Sequence, residues 1–189
     1  MLEEGVSNFP AISVWRAGLA SVLCWVDRRP EARALVEQAA SDRFEHVSPD
    51  PAKSSTLALY ADAAVQTGLV EAASALYELI EPWSERIVWS YSMGYGHART
   101  YLGMLAAVLG MHDEADQHLR FACEFHETNG LPLWAARARL GWADALAERG
   151  ELSRAREHAT RALEHSREHG YALFEARAAA LLGAVHSRG

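Results

Sequence analysis

The segment VLGMHDEADQHLRFACEF (residues 108–125) decides the fold, because it closes one amphipathic helix and opens the next. Gly110 suits the left-handed residue that ends a helix, and Ala115 follows five residues later as the anchor of a second helix. The helix before the turn has apolar residues at positions i, i+3, i+4 and i+7, namely Leu102, Leu105, Ala106 and Leu109. The segment therefore predicts an antiparallel helical hairpin.

The same pattern occurs four times along the chain. The other copies read VDRRPEARALVEQAA (26–40), QTGLVEAASALYELI (66–80) and AERGELSRAREHATRALEH (147–165). Their anchoring alanines Ala32, Ala73, Ala115 and Ala155 are spaced by 41, 42 and 40 residues. Five residues before the anchor, three copies have a glycine, and the first copy has Asp27, followed by Pro30 near the next helix start. This spacing indicates repeats of about forty residues.

A large–small residue pair recurs twelve positions before each anchor. The small residues are Ala20, Ala61, Gly103 and Ala143, with Gly183 forty residues further on, and each follows a bulky residue. Such a pair lets two antiparallel helices approach closely. Strand patterning is not evident, so we expect an all-α stack of about nine helices in a single domain, 1–189. The expected repeats are 10–46, 52–85, 95–129 and 132–169, with a half-repeat at 171–187.

The stretch TYLGMLAAVLGMHDEADQHLRFACEFHETNGLPLWAARARLGWADALAERG (100–150) resembles tetratricopeptide (TPR) repeats. Its YLG, LG, Ala-anchored helix, Gly, Trp and ARxRL elements are similar to the TPR-like region of bacterial MalT-like and large ATP-binding LuxR-type regulators. A similar region follows the ATPase module in some class III nucleotide cyclases. The units here are longer than the roughly 34 residues of a TPR, and Gly96-His97 stands where this family often has Gly-Pro. The resemblance implies a right-handed superhelical α-solenoid that serves as the sensor or interaction part of a signalling or transcriptional regulator.

Charge and hydropathy exclude several classes of partner. The net charge is −7, with 25 acidic against 18 basic residues and no basic stripe, so this segment is not expected to bind nucleic acid. No apolar run reaches the roughly 18–20 residues of a membrane span. The acidic start MLEEGVSNFP lacks the features of a secretion signal. We therefore expect a cytoplasmic protein with no membrane contact.

The motifs of catalysis are weak or missing. No GxxxxGK[ST] loop or GxSxG elbow is present, and no helix-turn-helix follows at the end of the chain. His165 and His169 match HxxEH, but they stand in a charged helix tail with no convincing third ligand. Cys24 and Cys123 are far apart and are interpreted as buried apolar side chains. The expectation is a non-enzymatic protein without metal or cofactor, and a metal-dependent enzyme at His165/His169 is the remote alternative.

The candidate binding residues lie on the inner face of the predicted stack. One row of equivalent positions has His97, Arg137 and Arg177 in three consecutive units, and a neighbouring row has Asp62 and Asp144. Paired arginines can hold a carboxylate or phosphate, which predicts a groove for a protein or peptide partner or a small acidic ligand. The alternative is that the arginines pair with acids of the chain itself, such as Glu175 or Asp144. The repeat phase also places Trp25 near this face.

The last predicted helix, about 172–186, has no second helix to pack on. It could act as a natural cap or begin a further unit of a longer chain. A self-assembling scaffold or adaptor that uses this unpaired helix is the alternative function. In the scaffold, Leu173, Leu181 and Leu182 dock on another copy and form a homo-oligomer.

Overall fold

The computed structural model describes residues 2–9, 12–91 and 93–188, which leaves positions 10 and 11 of the predicted first repeat outside the described residues. These ranges hold ten α-helices, one more than the nine predicted, because α1 precedes the first repeat. The helices are α1 Leu2–Asn8, α2 Ser13–Trp25, α3 Arg29–Ala40, α4 Lys53–Thr67, α5 Val70–Ile80, α6 Ala98–Val108, α7 His112–Thr128, α8 Pro132–Glu148, α9 Leu152–His169 and α10 Ala172–Arg188. A short 3₁₀ helix, Glu81–Trp83, follows α5.

The helices pack in sequence order. Helix α2 packs on α3, α4 on α5, α6 on α7, and α8 on α9, while α10 packs on α8 and α9. The first helices of successive pairs also contact one another, from α2 to α4 and onward to α10. This packing matches the predicted all-α class, and it places the first helices of all the pairs side by side. No helix in the described ranges is long and apolar enough to cross a membrane.

The turn inside each pair has the predicted left-handed residue. The φ angles are 62° at Asp27, 66° at Gly68, 73° at Gly110 and 79° at Gly150. At each turn the next N–H reaches back to a carbonyl five residues earlier, as from Met111 to Ala106 at 2.9 Å. This closes the last turn of the helix in a Schellman arrangement. The prediction that Asp27 replaces the glycine in the first unit is confirmed.

The small-residue position is where the two helices of a pair meet. Ala20, Ala61 and Ala143 are fully buried. A Cβ added at Gly103 would lie only 2.5 Å from Cγ of Leu119 on α7. At Gly183 on α10 the same Cβ would meet no atom within 4 Å, since this face of α10 is uncovered in the described part of the chain. The repeat thus explains why Gly103 must be small and why Gly183 need not be.

This difference gives a matched pair of substitutions. Gly103→Ala is expected to destabilise the protein by about 1–3 kcal/mol, because the added methyl overpacks the contact with Leu119. Gly183→Ala is expected to stabilise it by up to about 1 kcal/mol, because alanine is the better helix former and has open space here. Urea unfolding followed by circular dichroism measures both changes. A Gly103→Ala variant as stable as Gly183→Ala would contradict the close approach of α6 and α7.

A β-hairpin between the second and third units corrects the expectation that strands are absent. Strand β1, Ile87–Ser90, pairs antiparallel with β2, Met93–His97, and Trp89 lies opposite Gly94. Val88 is buried against α4, whereas Ile87 and Trp89 on the other face are about half exposed. The short strands are apolar on both faces, so they lack the alternation by which a strand is recognised. The Gly94-Tyr95-Gly96 stretch belongs to β2.

Candidate functional site

A cavity of about 250 Å³ lies among the first helices of the pairs. Helices α2, α4, α6, α8 and α10 all contribute to its wall. Its polar lining residues are Arg29, Gln66, Arg137, Asp144, Glu148 and Arg177, and its apolar lining includes Trp25, Val65, Met104 and Leu140. The first helices of the pairs therefore form the wall of a small, partly open site.

Asp62 on α4 is the centre of a buried network beside this cavity. Its side chain is 6% exposed and forms an ion pair with Arg137 of α8. The second carboxylate oxygen, Oδ2, accepts hydrogen bonds from Ser21 Oγ at 2.6 Å, Trp25 Nε1 at 3.0 Å and Gln66 Nε2 at 3.2 Å. The carboxylate thus has a cation and three neutral donors. A buried charge is stable only when it is paired and hydrogen-bonded, and these contacts meet that need. They also connect α2, α4 and α8.

Gln66 extends the network to the last helix. Its Oε1 accepts a hydrogen bond from Arg177 of α10 at 3.0 Å, while its amide nitrogen donates to Asp62. Arg177 also lies 3.3 Å from Asp144 Oδ2 on α8. The Arg177 and Asp144 side chains are 27% and 38% exposed, respectively, against 9% for Arg137. Arg177 and Asp144 are therefore the accessible end of the network, and Arg137 and Asp62 are its buried end.

Trp25 forms an aromatic wall under both arginines. The guanidinium carbons of Arg137 and Arg177 lie 5.4 and 5.6 Å from its ring centroid. Phe174 of α10 packs edge-on against the same ring at 5.1 Å. Through these contacts the first unit meets the fifth. Trp25 holds both guanidinium groups by cation–π contact, so it shares the cavity wall with the two arginines of the predicted row.

The structure brings together four of the five predicted site residues: Asp62, Arg137, Asp144 and Arg177. Both arginines form ion pairs with acids of the chain itself, as the alternative interpretation expected. Arg177 pairs with Asp144 as that alternative proposed, but the partner of Arg137 is Asp62. Glu175 pairs instead with Arg167, at 3.0 Å.

His97 is not part of the cavity wall. It is the N-cap of α6, where its Nδ1 accepts a hydrogen bond from the Arg99 amide at 3.3 Å. Its ring is buried between Phe121 and Phe125 of α7, at centroid distances of 4.9 and 4.7 Å. Burial lowers its pKa, and so does the positive charge of Arg99. Arg137 and Arg177, at the equivalent repeat positions, lie well inside their helices. His97 instead is the last residue of β2 and precedes α6, so helical periodicity does not predict the direction of its side chain.

Two residues that the prediction did not include have central positions. Ser21 and Gln66 donate to Asp62, and Gln66 joins it to Arg177. Ser21 occupies the same repeat position as Asp62, and Gln66 lies one helical turn beyond it. These repeat positions, in the same row as Asp62 or one helical turn from it, are the sequence signal by which both residues could have been found.

The HxxEH histidines lie apart from the cavity. His165 Nε2 is 3.6 Å from Glu127 Oε1, and His169 Nδ1 is 3.0 Å from the carbonyl oxygen of His165. Across the described ranges, no group of three or more His, Cys, Asp or Glu side chains is placed to hold a metal ion. Cys24 and Cys123 are buried free thiols, and burial raises the pKa of each, to about 11 and about 12.

The cavity wall has three guanidinium groups, those of Arg29, Arg137 and Arg177, beside the carboxylates of Asp144 and Glu148. A guanidinium has five N–H donors, and two of those of Arg177 have partners among the described residues. The Arg177 guanidinium itself lies over the Trp25 ring. Comparison with protein-family models, with curated proteins and with solved structures found no match to this chain.

Proposed function

We propose that this chain is a non-enzymatic binding module, a TPR-like α-solenoid with a right-handed superhelix, whose binding site is the cavity under Arg177. The fixed repeat positions and the contacts between successive first helices support the solenoid arrangement. The resemblance to MalT-like and LuxR-type regulators supports a role as the sensor or interaction part of a cytoplasmic bacterial regulator. The observation that carries the proposal is the accessible Arg177 guanidinium above Trp25.

The cavity favours a small carboxylate-bearing ligand or the acidic end of a peptide. A volume of about 250 Å³ is just below the roughly 300–1,000 Å³ of pockets for larger ligands. The Arg177–Asp144 pair is partly exposed and has one contact at 3.3 Å, so it contributes little stability. A ligand carboxylate can therefore replace Asp144 on Arg177 and form the bidentate pair that a guanidinium favours. The indole of Trp25 supplies the apolar contact.

The test is a thermal-shift screen with small di- and tricarboxylates and with short peptides that end in aspartate or glutamate. A ligand of this class is expected to raise the Tm of the wild-type protein and to change its intrinsic tryptophan fluorescence, to which Trp25 contributes. Arg177→Ala is expected to remain folded and to lose at least tenfold in affinity, because it removes the charged donor from the wall.

Arg167→Ala is the matched control, because Arg167 forms a comparable exposed ion pair on α9 but does not line the cavity. It is expected to bind as the wild type does. If the screen yields no ligand, or if Arg177→Ala binds the selected ligand as tightly as the wild type, the proposed site is wrong.

A further inference from the structure

A second surface, on the β-hairpin, has the composition of a protein-binding site. Four large apolar side chains are exposed within seven residues: Ile87 at 47%, Trp89 at 52%, Tyr91 at 69% and Met93 at 57%. Large aromatic side chains are enriched at interface cores and carry much of the binding energy there. This grouping differs from the scattered single apolar residues of an ordinary surface.

A groove of about 530 Å³ lies next to these side chains. Its walls are the start of α4, the 3₁₀ helix with Trp83, and strand β1 with Ile87 and Trp89. Its volume is within the range of about 300–1,000 Å³ that ligand pockets have. The exposed apolar surface therefore continues into a concave site.

The groove carries positive charge in an acidic protein. Lys53, the single lysine of the chain, and Arg86 both line it, and neither has an ion-pair partner among the described residues. Lys53 Nζ lies 6.0 Å from the centroid of the Trp83 ring. The one acid in the lining is Asp50, whose Oδ1 already accepts a hydrogen bond from the Ala52 amide at 2.8 Å. Two cations beside two tryptophans are thus left for a partner.

The aromatic anchor is held in place. The Ser54 hydroxyl donates to the carbonyl oxygen of Trp89 at 2.9 Å and accepts from its amide at 3.2 Å, which fixes β1 to α4. The indole Nε1 donates to the Tyr91 carbonyl at 3.3 Å, and the ring packs over Gly94 of β2. An exposed side chain fixed in this way loses little conformational entropy when a partner covers it.

We propose that this surface, formed by Lys53, Trp83, Arg86, Ile87 and Trp89, binds a short acidic segment of another protein that carries an aromatic or aliphatic side chain. The apolar side chain fills the groove between the tryptophans, and its neighbouring carboxylates pair with Lys53 and Arg86. Single-stranded nucleic acid also uses aromatic and cationic side chains. The net charge of −7 disfavours a polyanion far more than a peptide with one or two acids. This site is separate from the cavity of the proposed function.

The test is selection from a random twelve-residue peptide library displayed on phage, against the wild-type protein. The enriched peptides are expected to be acidic and to carry an aromatic or leucine side chain. The best of them, made synthetically, is expected to bind the Lys53→Glu/Arg86→Glu variant at least tenfold more weakly by fluorescence polarisation. Arg177→Ala is expected to bind this peptide as the wild type does, which separates this site from the cavity.

Arg120→Glu/Arg156→Glu is the matched control, because it changes the net charge equally at exposed arginines that form no ion pair within the described chain. It is expected to bind the peptide within twofold of the wild type. Three results would overturn the proposal: no enrichment above the charge-reversed variant, enrichment of basic or neutral peptides, or tighter binding of a dT12 oligonucleotide through Lys53 and Arg86.

Discussion

Replacing Arg137 by alanine is expected to lower the free energy of unfolding by about 3–5 kcal/mol, because it leaves the carboxylate of Asp62 buried without its cation. Ser21, Trp25 and Gln66 still donate to Asp62 in this variant, which places the expected loss near the lower end of that range. The pair joins α4 to α8, two units apart, so its loss also loosens the packing around the cavity. Urea unfolding followed by circular dichroism measures the change.

Two further variants separate the buried charge from the loss of a side chain. Asp62→Asn/Arg137→Ala is expected to be more stable than Arg137→Ala alone, since it removes the unpaired charge and keeps the shape of residue 62. Arg177→Ala is expected to cost about 1 kcal/mol or less, because its ion pair is partly exposed. An Arg137→Ala protein as stable as Arg177→Ala would show that the Asp62–Arg137 pair does not stabilise the fold.

The repeat could be predicted because each of its signals is local. A left-handed residue, an anchoring alanine and a small residue at fixed spacing each follow from the geometry of one helix pair. Even Asp27, which breaks the glycine pattern, has the left-handed φ that its repeat position requires. Repeat phase also grouped Asp62, Arg137, Asp144 and Arg177, and the structure joins these four side chains in one network.

What the sequence could not provide depends on relations between units. Repeat phase predicts which residues share a face, but it does not predict which helices lie close enough for Arg137 of α8 to pair with Asp62 of α4. The hairpin escaped prediction because Ile87 and Trp89 are apolar on the exposed face, so the strand has no polar side. Because the hairpin ends at His97, this residue is the N-cap of α6 and is not part of the row formed by Arg137 and Arg177. A local departure from the repeat thus removed one predicted site residue and created a second surface.

Two buried histidines are expected to make the fold sensitive to acid. His126 is fully buried, and its Nε2 accepts a hydrogen bond from the His97 amide at 2.9 Å. His158 is stacked on Trp142 at 4.1 Å, and its Nδ1 is 3.0 Å from the guanidinium of Arg139. An amide N–H and a guanidinium can only donate, so each of these ring nitrogens must be unprotonated. Protonation of either ring nitrogen would replace a buried hydrogen bond by two N–H groups that face each other, which destabilises the fold.

The pKa values agree with this geometry. The pKa of both His126 and His158 is lowered to about 4, mainly by burial and in smaller part by the neighbouring His97 and Arg139, respectively. Between pH 6.5 and 4 the unfolded chain therefore binds more protons at these positions than the folded protein does. The stability that the neutral histidines contribute is present above pH 6.5 and is lost as the pH falls towards 4. A pKa lowered from 6.5 to about 4 corresponds to a loss of about 3 kcal/mol for each histidine once the pH has fallen to 4.

Urea unfolding at a series of pH values is therefore expected to show that His126 and His158 together remove about 6 kcal/mol of stability between pH 7 and pH 4. The His126→Gln/His158→Gln variant is expected to show a much shallower dependence, because glutamine keeps an acceptor but does not titrate. His186→Gln changes an exposed histidine and is expected to keep the wild-type slope. If the double variant is as acid-sensitive as the wild type, the two buried rings do not control the acid stability of this fold, and the loss must come from other titrating groups.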